Sequence, residues 1–270
     1  MKQIYSHFKI SLSWLLVSAT FIFFPLVCWG TAEKQTVVIP ILMYHHVGEL
    51  PAHADKIRQD LTVSPEMFEE QVGWLSEQGF HAITLDDVYL LSQGKFDLPT
   101  KPIIFTFDDG YSDVFQNAVA ILKKYNYVGS FGIITQWPGI TKGTDQYASW
   151  AEIGTAQKEG MEIVSHTQNH FDGKNKRYGA TYIEKNIAGS IADIKNHVGT
   201  TTRELIYPLG HYDARYIVAA RQAGIAVGVT EHQRTTIHLN ELMELPRIRV
   251  RGQKSLKSFK WAVGHFLKNS

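Results

Sequence analysis

The chain has 270 residues, and its 44% hydrophobic content with 12% aromatic residues suffices for a large core, which excludes a disordered chain. Its 27 Lys and Arg residues nearly balance its 26 Asp and Glu residues, which argues against a nucleic-acid partner. Cys28 is the only cysteine, so an intrachain disulfide is excluded. A metal bound by this chain would therefore be held by His, Asp or Glu.

The N-terminal segment has the pattern of a secretory signal. Lysines precede an apolar run over residues 10–27, and small residues at 30–32 provide a cleavage site. The run is 18 residues long, so an uncleaved anchor that associates with a membrane through residues 10–27 is the alternative. We expect residues 1–32 to direct export to the periplasm or cell surface, and residues 33–270 to form the functional domain.

Short apolar runs alternate with longer amphipathic segments along the rest of the chain. The predicted strands are 37–44, 103–107, 128–134, 161–165, 204–208 and 225–229, and the predicted helices are 65–78, 113–125, 149–158, 181–198 and 213–222. This alternation predicts an α/β fold with a parallel sheet, either a closed barrel or an open doubly wound sheet. No repeat or linker divides the chain, so we expect one domain after the signal.

Polar residues follow four of the predicted strands, at the ends where parallel α/β folds place their chemistry. These residues are His45 and His46, Asp108 and Asp109, His166 and His170, and His211. A structural interpretation of the aspartates is also available, because Asp-Gly is common in turns between strands. If the sheet is parallel, however, the four strand ends converge on one face.

His166 and His170 are four residues apart in HTQNH, and one turn of helix would bring both imidazoles to the same side at a metal-ligand spacing. Alone, such a pair is a weak signal and is more typical of surface or core histidines than of metal ligands. With two carboxylates at another strand end, it predicts a site with two histidines and one aspartate as ligands, which leaves positions open for water. The other aspartate would then act as a base.

The motifs TFDDG, HTQNH and YPLG, in this order and spacing, resemble those of polysaccharide deacetylases, the NodB-homology or carbohydrate esterase family 4 enzymes. The resemblance covers residues 37–250 and implies a distorted (β/α) TIM-like barrel. It further implies that Asp108 is the catalytic base, and that Asp109, His166 and His170 bind a divalent metal, most commonly Zn²⁺. The MYHHV first strand resembles the branch of the family that deacetylates poly-β-1,6-N-acetylglucosamine.

Two departures from the family pattern affect the expected site. The third motif usually has an arginine two residues before its proline, and Ile206 stands there instead. Arg247 is the candidate to orient Asp108, with a surface position as the alternative. The family's late histidine, which protonates the leaving amine, is not recognisable. We expect His45 to take that role, with a structural role as the alternative, because alternation along a strand lets at most one of His45 and His46 face the site.

Further residues are expected to contact the substrate. The backbone N–H of Leu209 would stabilise the oxyanion. Tyr207, Pro208 and Gly210 would line the substrate site, and Trp137 would either stack on a sugar ring or pack at the barrel rim.

The leading hypothesis is therefore a metal-dependent N-deacetylase that acts on N-acetylglucosamine units of an extracytoplasmic polysaccharide. The alternative is a non-catalytic carbohydrate-binding or polysaccharide-assembly protein on the same fold, which the missing arginine and late histidine favour.

Overall fold

The structure is a computed structural model that describes residues 36–268, so the predicted signal segment lies outside the described residues. The strands are β1 Thr36–Val38, β2 Ile41–Tyr44, β3 His46–Val47, β4 Thr62–Val63, β5 His81–Ala82, β6 Pro102–Phe107, β7 Ser130–Ile133, β8 Thr141–Lys142, β9 Asp145–Gln146, β10 Glu162–Ser165, β11 Glu204–Ile206, β12 Val227–Val229, β13 Thr236–His238 and β14 Ile248–Arg249. The helices are α1 Lys56–Leu61, α2 Pro65–Glu77, α3 Leu85–Ser92, α4 Val119–Lys124, α5 Trp150–Lys158, α6 Ala180–Val198, α7 Ala214–Gln222 and α8 Leu256–Lys268. Over this described range, no helix combines the length and apolar character needed to cross a bilayer.

The central sheet is parallel and curls into a distorted barrel. Its strand order is β12-β11-β10-β7-β6-β2-β14, and β5 pairs with the start of β6. The closing segment, residues 245–247, lies just before β14 and reaches the β12 edge of the sheet. There the Leu245 N–H donates to the Gly228 carbonyl at 2.8 Å, and the Thr230 N–H donates to the Leu245 carbonyl at 2.9 Å. Because β14 itself pairs with β2, this closing segment bridges the two edges of the sheet. The predicted (β/α) barrel is confirmed.

Alternation along the strands separates the barrel interior from the outer layer. In β6, Ile104 belongs to the interior cluster, whereas Phe105 and Phe107 pack outward in the cluster shared with α2 and α4. The side chains of Leu85 and Val88 on α3 join the interior cluster. The interior between the strand ends is therefore a packed apolar core.

Helix α2 shows how the sequence determines local structure. The Ser64 hydroxyl accepts a hydrogen bond from the Met67 N–H, Pro65 occupies the first turn, and Gly79 follows with a φ of 76°. The helix predicted over 65–78 is confirmed.

The single strand predicted over 37–44 is wrong, because the chain divides it into β1, which pairs antiparallel with β13, and β2 in the barrel. Pro40, which has no N–H to donate, separates the two.

Candidate metal and catalytic site

Asp108 and Asp109 occupy different positions at the end of β6. The Asp108 N–H donates to the Tyr44 carbonyl at 2.9 Å, so the strand pairing continues one residue beyond β6. Asp109 and Gly110 then adopt left-handed conformations, with φ values of 73° and 80°. For a non-glycine residue this costs about 1–3 kcal/mol, a strain typical of functional sites. The turn sends the two adjacent carboxylates to different partners.

The segment from His166 to His170 is a tight turn and not a helix, so the predicted helical turn is wrong. Thr167 and His170 have left-handed φ values of 66° and 56°, and the His170 N–H donates to the Thr167 hydroxyl at 3.1 Å. The turn nevertheless brings the two imidazoles together, with ring centroids 4.9 Å apart. Histidines four residues apart are therefore brought together here by a tight turn and not by one turn of helix.

Asp109, His166 and His170 form a compact group of possible metal ligands. The Asp109 Oδ1 atom lies 3.1 Å from His166 Nε2 and 3.3 Å from His170 Nε2. Two ligands of one tetrahedral zinc ion lie about 3.4 Å apart, so the spacing fits a shared cation. Within residues 36–268, this buried oxygen forms no hydrogen bond. An unsatisfied buried carboxylate oxygen facing two imidazole nitrogens is the donor set expected for a divalent metal.

The environment of each histidine favours ligation through Nε2. His166 Nδ1 lies 2.8 Å from the Ile206 carbonyl, which can only accept, so Nδ1 carries a hydrogen and Nε2 is the nitrogen left to bind a metal. Burial, followed by the nearby His166, lowers the pKa of His170 to about 4, so its ring is neutral at pH 7. Burial acts to raise the pKa of Asp109, but the neighbouring histidines outweigh it and the pKa falls. Burial acts to lower the pKa of His166, but Asp109 and the Ile206 carbonyl outweigh it and the pKa is raised, so a bound cation would displace a proton from this ring.

Asp108 is held by a buried arginine. Arg247 Nη1 lies 2.6 Å from Asp108 Oδ1, and Nη2 lies 2.9 Å from Oδ2. The guanidinium also donates to the Thr106 hydroxyl at 3.0 Å and the Thr230 carbonyl at 2.8 Å. The alternative that Arg247 lies on the surface is wrong, because its side chain is fully buried. Burial acts to raise the pKa of Asp108, but Arg247 and then His45 outweigh it, so the pKa is lowered and the carboxylate stays ionised.

The space near the third motif is filled by an apolar side chain. A methyl group added at Gly132 on β7 would lie 2.7 Å from the Ile206 side chain, so Ile206 packs directly against the backbone of that strand. Ile206 stands where the family usually has an arginine, and Arg247 reaches Asp108 from the closing segment instead. The carboxylate is thus oriented from a different strand of the barrel.

Of the three non-ligand histidines considered for acid catalysis, His45 lies nearest Asp108, with Nε2 at 3.9 Å from Oδ2. Burial lowers the pKa of His45, while the charges of Asp108 and Asp109 act against that shift. His46 is directed elsewhere, because its Nδ1 lies 2.9 Å from Asp113 Oδ2. His211 pairs with an exposed aspartate and is itself 42% exposed. The expectation that only one of His45 and His46 faces the site agrees with these positions.

The residues predicted to contact substrate differ in their exposure to solvent. Leu209 has a left-handed φ of 59° in the turn after β11, and its side chain is 50% exposed. Pro208 and Gly210 flank it in the same turn. Tyr207 is a correction, because its ring is fully buried and its hydroxyl donates to the Met243 carbonyl at 2.9 Å. No part of Tyr207 is exposed, so it does not line a substrate site.

Trp137 lies beside the histidine pair but is not a free stacking surface. Its ring centroid is 5.9 Å from that of His170 and 5.0 Å from that of Tyr147. The ammonium of Lys142 lies 2.8 Å from the ring centroid and covers one face. A sugar can stack on this face only after Lys142 moves.

Thr106 and Thr230, which both contact Arg247, were missed by sequence reasoning. Thr106 lies two residues before Asp108 in TFDDG, so strand alternation places both on the same face and could have identified it. Thr230 contacts Arg247 through a backbone carbonyl, for which no sequence signal exists.

Comparison with known proteins shows that the chain is similar to polysaccharide deacetylases. The family model described as polysaccharide deacetylase matches residues 95–228. A Bacillus subtilis protein, YxkH, whose name assigns it to the polysaccharide deacetylases, is 27% identical over 222 residues, covering 82% of this chain and 74% of its own. The poly-β-1,6-N-acetyl-D-glucosamine N-deacetylase of Escherichia coli K12 is 24% identical over 192 residues, or 67% of this chain, which spans only 26% of that relative.

A solved structure has the same architecture. The Streptococcus pyogenes deacetylase PplD, in complex with acetate, superposes with a TM-score of 0.73 at 25% identity, covering 84% of this chain and 98% of its own.

Proposed function

Because the chain belongs to the polysaccharide deacetylase family, we propose that it is a metal-dependent N-deacetylase that removes acetyl groups from N-acetylglucosamine units of an extracytoplasmic polysaccharide. The observation that carries this proposal is the pairing of an arginine-held carboxylate, Asp108, with the adjacent cluster of Asp109, His166 and His170. One group has the chemistry of a base and the other that of a metal site.

In this proposal the residues divide the hydrolysis of the acetamide among them. Asp109, His166 and His170 hold a divalent cation, most simply Zn²⁺, which when bound supplies Lewis acidity to the acetyl carbonyl and to the attacking water. Asp108 accepts a proton from that water, and Arg247 fixes both carboxylate oxygens in the required orientation. Water and the acetamide thereby become acetate and a free amine.

Two further groups stabilise the oxyanion and protonate the leaving amine. The Leu209 N–H, in the turn after β11, donates to the oxyanion of the tetrahedral intermediate. His45, beside Asp108, delivers a proton to the departing amine nitrogen. Pro208 and Gly210 shape the backbone around this position, and Trp137 lines it from the side of His170.

Acetate release from defined oligomers, together with metal content, tests the function. We expect the mature domain, residues 33–270, to bind about one Zn²⁺ per chain and to release acetate from a β-1,6-linked N-acetylglucosamine oligomer faster than from the β-1,4-linked isomer. Metal-free protein should release acetate only after Zn²⁺ is restored. Acetate release that is unchanged by chelation would contradict the metal dependence.

The alternative, a non-catalytic carbohydrate-binding protein, loses part of its support. It rested on the missing third-motif arginine and the missing late histidine, and Arg247 contacts Asp108 in the position of an orienting residue. A binding protein would retain the oligomer and release no acetate, so the same assay separates the two functions.

We further propose that residues 1–32 export the domain or anchor it in a membrane through residues 10–27. The charge of the remaining chain, with 25 basic and 26 acidic residues, gives no reason to expect a nucleic-acid partner.

Arg247→Met should lower kcat with little change in KM or metal content, because Arg247 contacts the base and not the ligands. We expect kcat to fall by about 10- to 100-fold and the free energy of unfolding to fall by about 3–5 kcal/mol, since Asp108 would remain buried without its partner. Steady-state kinetics and chemical denaturation measure both effects. Unchanged kcat would remove Arg247 from the site.

The double variant Arg247→Met/Asp108→Asn is the control for folding. Removing both charges should recover most of the lost stability while kcat stays at least as low as in Arg247→Met. If the double variant is as unstable as Arg247→Met, the ion pair is not the source of the destabilisation.

His45→Gln should lower kcat by about 10-fold or more while the protein keeps its metal, because a proton donor near the leaving group is lost and the ligands are intact. His211→Gln is the matched control, since His211 pairs with an exposed aspartate at the next strand end. Equal rates in the two variants would assign the leaving-group proton to another residue.

A further inference from the structure

The histidine turn, residues 166–170, is held from one side by helix α6. Asn186 on this helix is only 6% exposed, and its side chain contacts both of the residues just before His170. Its Oδ1 accepts a hydrogen bond from the Gln168 N–H at 2.9 Å, and its Nδ2 donates to Asn169 Oδ1 at 3.1 Å. A single buried amide therefore satisfies one backbone group and one side chain of the turn.

Asp193 holds the same turn from a position about two helical turns further along α6. Its Oδ2 accepts from Gln168 Nε2 at 2.9 Å and from the Thr135 hydroxyl at 2.7 Å. Thr135 lies just beyond β7, and the Thr135 N–H donates to the Thr167 carbonyl at 3.1 Å. One carboxylate oxygen of Asp193 thus joins α6, the end of β7 and the histidine turn.

Gly189 leaves room for the Gln168 side chain between these two contacts. A methyl group added at Gly189 would lie 2.5 Å from the carboxamide carbon of Gln168. Glycine in the interior of a helix lowers helix stability relative to alanine, so the close approach of Gln168 gives this residue a packing reason. Asn186, Gly189 and Asp193 together form the α6 face, which lies against the histidine turn.

The histidine turn needs such support because its backbone is strained. Thr167 and His170 have left-handed conformations, which persist only where the surroundings fix them. The ring of His166 is fixed separately, since its Nδ1 bonds to the Ile206 carbonyl. The position of the His170 ring depends on the backbone of the turn, with ring contacts to His166 and Trp137.

We propose that the α6 face positions the metal site, and that Asn186 and Asp193 hold the ligand His170 in place through the residues that precede it. This inference rests on the proposed metal site. The hydrogen bonds of both residues reach Gln168, so they act on the ligand through the turn. Groups that surround a metal ligand commonly set its orientation, and metal affinity should therefore depend on a helix that supplies no ligand.

Zn²⁺ affinity of the mature domain, measured by competition with a chromophoric chelator, tests the inference without reference to turnover. In Gly189→Ala the added methyl group displaces the Gln168 carboxamide from Asp193, and we expect Zn²⁺ binding to weaken by about 10-fold. Alanine also favours the helix, so a loss of affinity would not come from a weaker helix. Gly154→Ala on α5 is the matched control, because a methyl group there meets no atom within 4 Å, and it should bind Zn²⁺ like the wild type.

Two substitutions at Asn186 test the hydrogen bonds themselves. Asn186→Leu removes both contacts with the turn, so Zn²⁺ binding should weaken by about 10- to 100-fold and the visible spectrum of the Co²⁺-loaded protein should change. Asn186→Asp should recover most of the affinity, because a carboxylate still accepts the Gln168 N–H and the Asn169 amide can rotate to donate to it.

The outcomes separate this inference from the proposed function. Wild-type Zn²⁺ affinity in Gly189→Ala, or equal losses in Asn186→Leu and Asn186→Asp, would overturn the positioning role and leave the proposed function standing. A loss in Gly154→Ala as large as that in Gly189→Ala would also overturn it. A wild-type domain that binds neither Zn²⁺ nor Co²⁺ would instead refute the proposed metal site itself.

Discussion

Replacing either His166 or His170 with alanine is expected to abolish deacetylation and to leave the protein without bound metal. Each substitution removes one of the three ligand atoms that lie within 4.8 Å of one another, and two remaining protein ligands do not hold a catalytic ion at micromolar concentrations. We expect acetate release to fall by at least about 1,000-fold. Metal analysis after gel filtration and an acetate-release assay measure the two losses separately.

His197→Ala provides the comparison for this experiment. His197 lies on α6 and stacks on Trp150 with centroids 4.5 Å apart, so its loss removes an imidazole and an aromatic contact away from the site. That variant should keep both metal and activity. Full metal content and normal turnover in either His166→Ala or His170→Ala would eliminate the proposed site.

Asp108→Asn should retain metal but lose at least about 100-fold in kcat, because the amide preserves the size of the side chain and cannot accept the proton. The neighbouring Asp109→Asn should instead lose metal as its primary defect, because it removes a proposed ligand. Metal content and kcat of the two variants, measured side by side, assign the roles of two adjacent residues with the same chemistry. If Asp108→Asn loses its metal and Asp109→Asn keeps it, the assignments are reversed.

The sequence predicted those parts of the molecule that depend on local pattern. Period-two apolar runs and helix signals such as Ser64 and Gly79 identified most barrel elements. The rule that polar groups collect at strand ends identified Asp108, Asp109, His166 and His170 together. Apolar pattern alone could not show that Pro40 divides the first predicted strand, because a proline is tolerated at a strand edge.

Other features depend on contacts that local pattern does not contain. The turn from His166 to His170 uses left-handed conformations at Thr167 and His170, which side-chain spacing does not encode. Arg247 lies 139 residues from Asp108 along the chain, and only barrel closure brings them together. The backbone bridge between Tyr111 and Tyr147 likewise joins distant parts of the chain, and no motif predicts it.

The closing segment has a consequence for the order in which activity is acquired during folding. The proposed ligands come from the ends of β6 and β10, which are separated in the sheet only by β7 and are complete once residue 170 has been synthesised. Arg247 is supplied by the last stretch of chain to join the barrel. A nascent or truncated chain that lacks this stretch would therefore bind the metal ion before Arg247 orients Asp108. We expect such intermediates to be loaded but inert, so that hydrolysis begins only when the barrel is sealed.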